Sequence, residues 1–312
     1  MILSVSRRTD IPSYYSEWFF NRLNEGFVYT RNPMNIHKIS KIPLTKDIID
    51  GIVFWTKNPG PMLKNISKLD DYTYYFQFTV NSYGNDVEVN IPSKKEVIVP
   101  TFQKLSLAIG KERMVWRYDP IFFNEKYTIS YHTKYFEMLC SKLSNYTEKC
   151  TISFLDLYKN TQRNISELKI EVPSFDQMQE IAEHFSKIAK DYGIIIDTCA
   201  EKINLDKYGI QHAHCIDKNR LERISGYKLN IDKDKNQRFE CGCFASVDIG
   251  AYNTCKNGCK YCYANFSQKT VSKNFSNHNP KSPLLFGNIG EDDEIIQKKA
   301  GSLVSNQIGF FD

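Results

Sequence analysis

Residues 51–59 read Gly-Ile-Val-Phe-Trp-Thr-Lys-Asn-Pro, an apolar run that ends in a polar cluster closed by proline. A short apolar run of this kind is typical of a strand that is covered on both faces. The same pattern recurs along the first two hundred residues. We therefore predict β-strands at residues 2–6, 51–55, 74–80, 114–118, 151–157 and 193–198.

Amphipathic stretches separate these strands, at residues 14–25, 103–109, 131–143 and 174–192. The last begins with Ser174, a favourable N-cap, followed by an acidic first turn. Alternation of apolar strands with amphipathic helices predicts a parallel sheet with helices outside it. The expected fold class is α/β, in the form of a partial (β/α) barrel.

Polar side chains follow the ends of the predicted strands. In β/α barrels the active site forms at the carboxyl ends of the strands, so these residues predict the rim of one cavity. They are Ser6 to Asp10, Trp55 to Pro59, Gln77 and Thr79, Arg117 to Pro120, Asp156, and Cys199 to Glu201.

Composition is that of an ordinary globular protein, with 41% hydrophobic residues, 25% charged residues and a net charge of +5. The sequence contains no apolar run that could span a bilayer, and the amino terminus does not resemble a signal peptide. We therefore expect a cytoplasmic location and no membrane partner. The nine cysteines should be reduced there, and their odd number and tight local spacing favour metal binding over disulfides.

The amino-acid composition of the chain changes after about residue 200. Cysteine, glycine and asparagine become dense, and the alternation of strand and helix fades. The expected organisation is a β/α barrel at residues 1–200 and a Cys-rich segment, packed on the barrel mouth, at residues 201–312. Within that segment, residues 227–238 are predicted to form a linker or surface loop, and residues 266–283 an exposed connection.

A three-thiolate pattern, Cys255-Lys-Asn-Gly-Cys259-Lys-Tyr-Cys262, lies in that segment. Three close thiolates can bind three corners of a [4Fe–4S] cube and leave the fourth iron open to an outside molecule. Gly258 allows the tight curl that brings the sulfurs together. The alternatives are a zinc knuckle with a further ligand elsewhere and incidental thiols, but zinc sites more often use paired C-x2-C knuckles.

Four more cysteines lie in the same part of the chain: Cys199, Cys215, Cys241 and Cys243. They could ligate a second, closed [4Fe–4S] cluster or a structural zinc ion, or some could be small buried hydrophobic residues. Cys140 and Cys150 fall in or beside a predicted helix and strand and are assigned to the core.

The three-cysteine loop, with Tyr261 before its last sulfur and Tyr263-Ala-Asn265 after it, resembles that of radical S-adenosylmethionine enzymes. Other motifs resemble the spore-photoproduct-lyase-like branch, and nearly the whole chain resembles DUF1848, an uncharacterised bacterial family. The motifs that carry the resemblance are Ser6 to Pro12, Trp55 to Pro59, Gln77 to Thr79, Glu88 to Pro92, Leu105, Arg117 to Ile121, Cys199 to Glu201, Cys215 to Asp217 and the final cysteine block.

The resemblance implies a [4Fe–4S] cluster, S-adenosylmethionine, and an electron donor such as flavodoxin or ferredoxin. It implies reductive cleavage of S-adenosylmethionine to start radical chemistry on an unknown substrate, a small molecule or, less favoured, a nucleobase. In that superfamily, however, the cluster loop usually follows the first strand, whereas here it lies near residue 260. The superfamily's Gly-Gly-Glu motif is not evident. The alternative is a non-catalytic iron–sulfur or zinc protein for electron transfer or structure.

The strand ends supply candidate cofactor-binding residues, each with a simpler structural interpretation. Arginine presents a planar fork that suits a carboxylate or phosphate, or a surface salt bridge. A lysine and an amide beside Trp55 suit an adenosyl or substrate ring, or a strand-end turn. A glutamate after Cys199 suits ribose hydroxyls or a helix cap. The candidates are Arg7, Lys57, Asn58, Gln77, Arg117 and Glu201. Arg117 and Asp119 are also expected to form an ion pair that orients the cavity mouth.

Overall fold

Eight parallel strands form the large sheet of the computed structural model, which describes residues 1–156, 159–238 and 240–305. Each strand pairs with its neighbours in parallel register, and the two outer strands of the described sheet are not paired with each other. In spatial order the strands are β10 (Val247–Asp248), β1 (Ile2–Val5), β4 (Gly51–Thr56), β5 (Tyr74–Thr79), β6 (Met114–Ile121), β7 (Lys149–Phe154), β8 (Ile195–Thr198) and β9 (Gln211–His212).

Nine α-helices are present in the described residues. They are α1 (Ile11–Tyr14), α2 (Ser16–Glu25), α3 (Gly60–Leu63), α4 (Val99–Ile109), α5 (Ile129–Leu143), α6 (Lys159–Ile165), α7 (Phe175–Asp191), α8 (Lys218–Ser225) and α9 (Gln268–Ser276). Ser174 caps α7 as predicted, in a reciprocal capping box with Gln177. Short 3-10 turns occur at Ile66–Leu69, Lys111–Arg113, Ser166–Leu168 and Asp206–Tyr208, and a π-helix at Lys94–Ile98.

A small second sheet was not predicted. It consists of β2 (Phe27–Asn32) and β3 (Asn35–Pro43), which are antiparallel, with β11 (Glu294–Gln297) parallel to β3. The first four residues of β3 are exposed, so this strand lacks the apolar run that identifies a buried one.

The six predicted strands are all present, with ends that differ by a few residues; residue 157, the predicted end of the fifth, lies outside the described residues. Residues 227–238 contain no regular helix or strand among those described, as expected. The prediction of a mere connection at residues 266–283 is wrong, because α9 forms there with Ser267 as its N-cap. No helix among the described residues is long and apolar enough to cross a membrane.

The C-terminal segment contributes to both sheets. Strands β9 and β10 lie at the two edges of the large sheet, and β11 lies at one edge of the small one. Of the predicted segment 201–312, residues 239 and 306–312 lie outside the described structure. The segment is therefore joined to the first two hundred residues by backbone pairing.

Alternate strand residues point to opposite faces of the large sheet, and the two faces differ. On one face Phe54, Phe76 and Trp116 join the main hydrophobic core with the helices. On the other face Tyr75 and Val115 pack against residues of the C-terminal segment. We call these the helix face and the cavity face. The sheet is thus a layer between the helices and the Cys-rich segment.

Candidate functional site

A cavity of about 490 Å³ opens at the carboxyl ends of the strands. Residues at the ends of β1, β4, β5, β6 and β7 form part of its lining, among them Asp156, which the sequence placed on the cavity rim. The rest comes from residues after β8 and from the C-terminal segment. Seven of the nine cysteines line this cavity: Cys199, Cys215, Cys241, Cys243, Cys255, Cys259 and Cys262. Cys140 and Cys150 lie instead in the helix-face core.

Residues 249–265, here the cluster loop, contain the three-cysteine pattern. Gly258 has a φ of 67°, a left-handed conformation that glycine adopts without strain. A Cβ atom there would lie 2.9 Å from Nδ2 of Asn90. Burial raises the pKa of the Cys259 thiol to about 12 and also raises the pKa values of Cys255 and Cys262. Without a bound metal these thiols are therefore protonated at neutral pH.

The short strand β10 pairs with β1 and directly precedes the cluster loop. Asp248 in β10 accepts hydrogen bonds from the hydroxyls of Ser4 and Ser6, at 2.8 and 2.6 Å, and from the backbone nitrogen of Arg7 at 2.8 Å. A Cβ atom on Gly250 would lie 2.0 Å from Oγ of Ser6. The loop thus begins beside the end of β1, although it is some 250 residues later in sequence.

Asp10 is the first anchor of the cluster loop. Its carboxylate is 5% exposed and accepts a hydrogen bond from Nδ2 of Asn257 at 3.0 Å. It also accepts from Oγ1 of Thr56 at 2.7 Å and from the backbone nitrogens of Ser13 and Lys57. Burial raises the pKa of Asp10, and these hydrogen bonds counteract part of that shift. The loop is therefore fixed to the ends of β1 and β4 together.

Glu88 is the second anchor and lies at 1% exposure. Its carboxylate forms ion pairs with Nζ of Lys57 at 2.8 Å and of Lys94 at 2.7 Å, and it accepts a hydrogen bond from the hydroxyl of Tyr261. Burial opposes ionisation of Glu88, but the two ammonium groups outweigh it and hold its pKa at about 2. A backbone bridge between Glu88 and Cys259 completes this contact.

Four cysteines from the end of β8 and from the C-terminal segment also line the cavity: Cys199, Cys215, Cys241 and Cys243, here the second cysteine group. The sulfurs of Cys199 and Cys215 are 3.0 Å apart, and Cys243 contacts both Cys215 and Cys241. Arg117 donates from Nη1 to the Cys215 sulfur at 3.0 Å. The four thiols therefore form one chain of contacts.

Charge is unevenly distributed along this chain of thiols. Hydrogen bonds from Cys199 and Cys243, together with the guanidinium of Arg117, lower the pKa of Cys215 well below its usual value. A hydrogen bond with Cys243 lowers the pKa of Cys241 to about 6. The pKa values of Cys199 and Cys243 are raised as a consequence of the same contacts. The group thus accommodates thiolate charge beside Arg117.

Three of the six candidate cofactor-binding residues line the cavity: Arg7, Lys57 and Arg117. The Arg117 guanidinium pairs with Asp119 at 2.6 Å, the ion pair expected from the sequence. The guanidinium carbons of Arg7 and Arg117 lie 5.7 and 5.3 Å from the centre of the Trp55 ring.

The other three candidates, Asn58, Gln77 and Glu201, are not among the lining residues. Oδ1 of Asn58 accepts from the backbone nitrogen of Gly60 at 3.1 Å, and Nε2 of Gln77 donates to the Cys215 carbonyl at 2.8 Å. Glu201 accepts from the backbone nitrogen of Phe154 at 2.7 Å, so it caps the end of β7 rather than a helix. Burial raises the pKa of Glu201 to about 7.

Sequence reasoning did not identify Asp248 or Asn257, which hold the cluster loop in place. Strand β10 has only two residues, too few to produce a recognisable strand pattern. Asn257 offered one weak signal, its position inside the three-cysteine pattern. Asp10 and Glu88 appeared within quoted motifs, but nothing in the sequence indicated that they bind the late loop.

Fold and site together define an α/β protein with a cysteine-lined cavity at the carboxyl ends of a parallel sheet. The chain belongs to the family described as Domain of unknown function (DUF1848), whose family model matches residues 2–264.

No curated protein matches the chain. Among solved structures, a putative alpha-L-fucosidase from Bacteroides thetaiotaomicron VPI-5482 has 11% sequence identity and a TM-score of 0.27. The match covers 58% of this chain and 74% of the other. A similarity at this level carries no argument about the site.

Proposed function

We propose that the protein is a radical S-adenosylmethionine-type enzyme with a [4Fe–4S] cluster on Cys255, Cys259 and Cys262. In this proposal the parallel sheet is a partial (β/α) barrel whose mouth is the cavity. The observation that carries the proposal is that all three thiols of the C-x3-C-x2-C loop line the cavity at the carboxyl ends of the parallel strands. When bound, the cluster supplies one electron that cleaves S-adenosylmethionine into methionine and a 5′-deoxyadenosyl radical.

The residues around the loop fit such a group. Asn265 lines the cavity, and its buried Oδ1 has no hydrogen-bond partner in the described part of the chain, so a ligand that donates a hydrogen bond, such as the amino group or a ribose hydroxyl of S-adenosylmethionine, would satisfy it. Lys57 places a buried positive charge near Cys259, which favours the thiolate form that iron requires. Three protein thiols leave one iron of a cube open for the amino acid part of S-adenosylmethionine.

Arg7 and Trp55 are suited to bind the rest of S-adenosylmethionine or the substrate. Nε of Arg7 is buried without a hydrogen-bond partner among the described residues, so it can donate to a carboxylate. The Trp55 ring lines the same cavity and offers a face for an adenine or another flat group. The cavity volume suits a small-molecule substrate better than a nucleobase within a duplex. Flavodoxin or ferredoxin remains the proposed electron donor.

Anaerobic reconstitution with iron and sulfide, followed by dithionite and S-adenosylmethionine, tests this function. The expected products are 5′-deoxyadenosine and methionine in equal amounts, detected by liquid chromatography and mass spectrometry. Cys255→Ala should abolish both products. Cys140→Ala, which removes a buried thiol outside the cavity, should leave them unchanged.

An intact cluster that yields no 5′-deoxyadenosine would overturn the enzyme proposal. It would favour the alternative, a non-catalytic iron–sulfur protein for electron transfer or structure. Zinc bound in place of iron at Cys255, Cys259 and Cys262 would also overturn the enzyme proposal and would favour the zinc form of that alternative.

A further inference from the structure

The second cysteine group has a local architecture of its own. Cys199 follows β8 and Cys215 follows β9, whereas Cys241 and Cys243 flank Gly242 in the chain that leads to β10. A Cβ atom on Gly242 would lie 2.5 Å from Nδ1 of His214. Glycine at this position therefore lets the Cys241–Cys243 turn approach the backbone beside Cys215.

Sulfur atoms in this group receive donors of the kind that surround iron–sulfur clusters. The backbone nitrogen of Ile216 donates to the Cys243 sulfur at 3.4 Å, and Nη1 of Arg117 donates to the Cys215 sulfur at 3.0 Å. Arg7 lies in the same cavity wall. Hydrogen bonds to sulfur and nearby positive charges stabilise the negative charge of a thiolate-bound cluster.

We propose that Cys199, Cys215, Cys241 and Cys243 bind a second [4Fe–4S] cluster, ligated entirely by the protein and facing the first across the cavity. This site does not depend on the proposed enzymatic function. Two buried cysteines outside it, Cys140 and Cys150, lie in the apolar helix-face core. Cys215, Cys241 and Cys243 also pack in a hydrophobic cluster, but the four thiols of the second group line one cavity and contact one another beside Arg117, which burial as small hydrophobic residues does not require.

The four thiols are not arranged around a single ion, and Cys199 and Cys215, whose sulfurs are 3.0 Å apart, would have to separate to bind either a zinc ion or a cube. A structural zinc ion needs four ligands around a single point. In the described residues no three or more His, Cys, Asp or Glu side chains are placed to hold one metal ion. The thiols form an extended chain of contacts, and in a cube each thiolate binds a different iron, so ligands need not converge on one point.

Iron content tests the site without reference to catalysis. The reconstituted protein should bind about eight iron atoms per chain, because two cubes contain four each. The double variant Cys255→Ala, Cys259→Ala should retain about four irons in a cluster whose electron paramagnetic resonance signal does not change when S-adenosylmethionine is added. The double variant Cys199→Ala, Cys243→Ala, which leaves only two thiols at the second group, should also retain about four, in a cluster whose signal does change. Cys150→Ala should retain all of the iron.

About four irons in the unaltered protein, all lost in the Cys255→Ala, Cys259→Ala variant, would overturn the proposal. Zinc bound at the second group in place of iron would overturn it as well. If the Cys199→Ala, Cys243→Ala protein does not fold, as judged by circular dichroism, the Cys255→Ala, Cys259→Ala variant still decides the question. Failure to produce 5′-deoxyadenosine would count against the proposed function and would leave the iron count as an independent result.

Discussion

The helix face and the cavity face belong to the same strands but are stabilised in different ways. Along β5, Phe76 stacks on Phe54 at a centroid distance of 4.6 Å, within the main hydrophobic core. The next residues on the other face are Tyr75 and Gln77, whose polar atoms bond to the Cys215 carbonyl. One face is held by apolar packing, the other by specific hydrogen bonds and ion pairs.

This difference reflects what each face must do. Apolar burial is non-directional, so the helix face needs only to be filled efficiently. The cavity face must place seven cysteines at defined positions, which requires directional contacts with the C-terminal segment. Substitutions should therefore separate loss of stability from loss of the proposed metal sites.

Phe76→Ala should produce the largest loss of stability, with little effect on the cavity. Phe76 is completely buried between aromatic neighbours, so truncation leaves a void. We expect the free energy of unfolding to fall by about 4 kcal/mol in urea denaturation. Phe76→Leu should cost about 1 to 2 kcal/mol. Iron content of the folded variants should match that of the unaltered protein. A loss of iron from folded Phe76→Ala protein would contradict the view that the helix face does not position the cysteines.

Glu88→Gln should destabilise the cavity side by about 3 kcal/mol and reduce iron binding. The substitution keeps the size of the side chain but leaves Lys57 and Lys94 without their buried counter-charge, and it turns an amide toward an ammonium group. Urea denaturation and iron analysis would measure the two effects.

Glu183→Gln is the matched control, because its ion pair with Lys187 is similar in length at 2.6 Å but lies at the surface. That change should cost much less stability than Glu88→Gln, because water screens the exposed pair, and it should leave iron content unaltered. Equal effects of the two substitutions would show that the buried pair does not anchor the cluster loop.

The sequence predicted the helix face more completely than the cavity face. Apolar strands such as Gly51–Thr56 and amphipathic helices such as Phe175–Asp191 have periodic patterns, because their burial repeats along the chain. The hairpin of Phe27–Asn32 and Asn35–Pro43 has largely polar or exposed residues and was missed.

Within the site, the cysteines could be identified from spacing, whereas their anchors could not. Aspartate and glutamate usually lie at the protein surface. Only the tertiary structure shows that Asp10 and Glu88 are buried beside Asn257 and Tyr261. Contacts between residues more than 170 positions apart leave no periodic signal in one sequence. Asn58 illustrates the reverse case, since a polar residue at a strand end caps a local turn and does not line the cavity.

His132 on α5 provides a pH-dependent test of the helix face. It is fully buried, and burial lowers its pKa to about 4, from 6.5. Its Nε2 donates to the Phe122 carbonyl, so in the neutral ring Nδ1 accepts from the Tyr118 hydroxyl at 2.8 Å. Below pH 6.5 the unfolded chain takes up a proton that the folded chain does not.

We therefore expect His132 to reduce the free energy of unfolding by about 2 to 3 kcal/mol as pH falls from 6.5 to about 4. His132→Phe should show a weaker pH dependence over that interval in urea denaturation. His184→Ala, at an exposed position on α7, should retain the full dependence. Identical pH profiles for the unaltered protein and His132→Phe would show that this buried imidazole does not oppose protonation.

Of the substitutions predicted to destabilise the protein, Tyr75→Phe should have the smallest effect on stability. Its effect should be confined to the cavity face. The Tyr75 hydroxyl donates to the Cys215 carbonyl at 2.5 Å and accepts from the backbone nitrogen of Asp217 at 2.9 Å. Its loss leaves the Asp217 nitrogen without this partner, at a cost of about 1.5 kcal/mol in urea denaturation. Tyr74→Phe, on the neighbouring helix-face residue, should cost less.

Because Gln77 still donates to the same carbonyl, Cys215 should remain in place but be held less firmly. We therefore expect the Tyr75→Phe protein to lose iron faster to a chelator from the second cysteine group than from the cluster loop, which has separate anchors. Mössbauer spectroscopy would measure the rate of iron loss from each site. Equal rates from the two sites would contradict the view that each cysteine set is positioned by its own contacts on the cavity face.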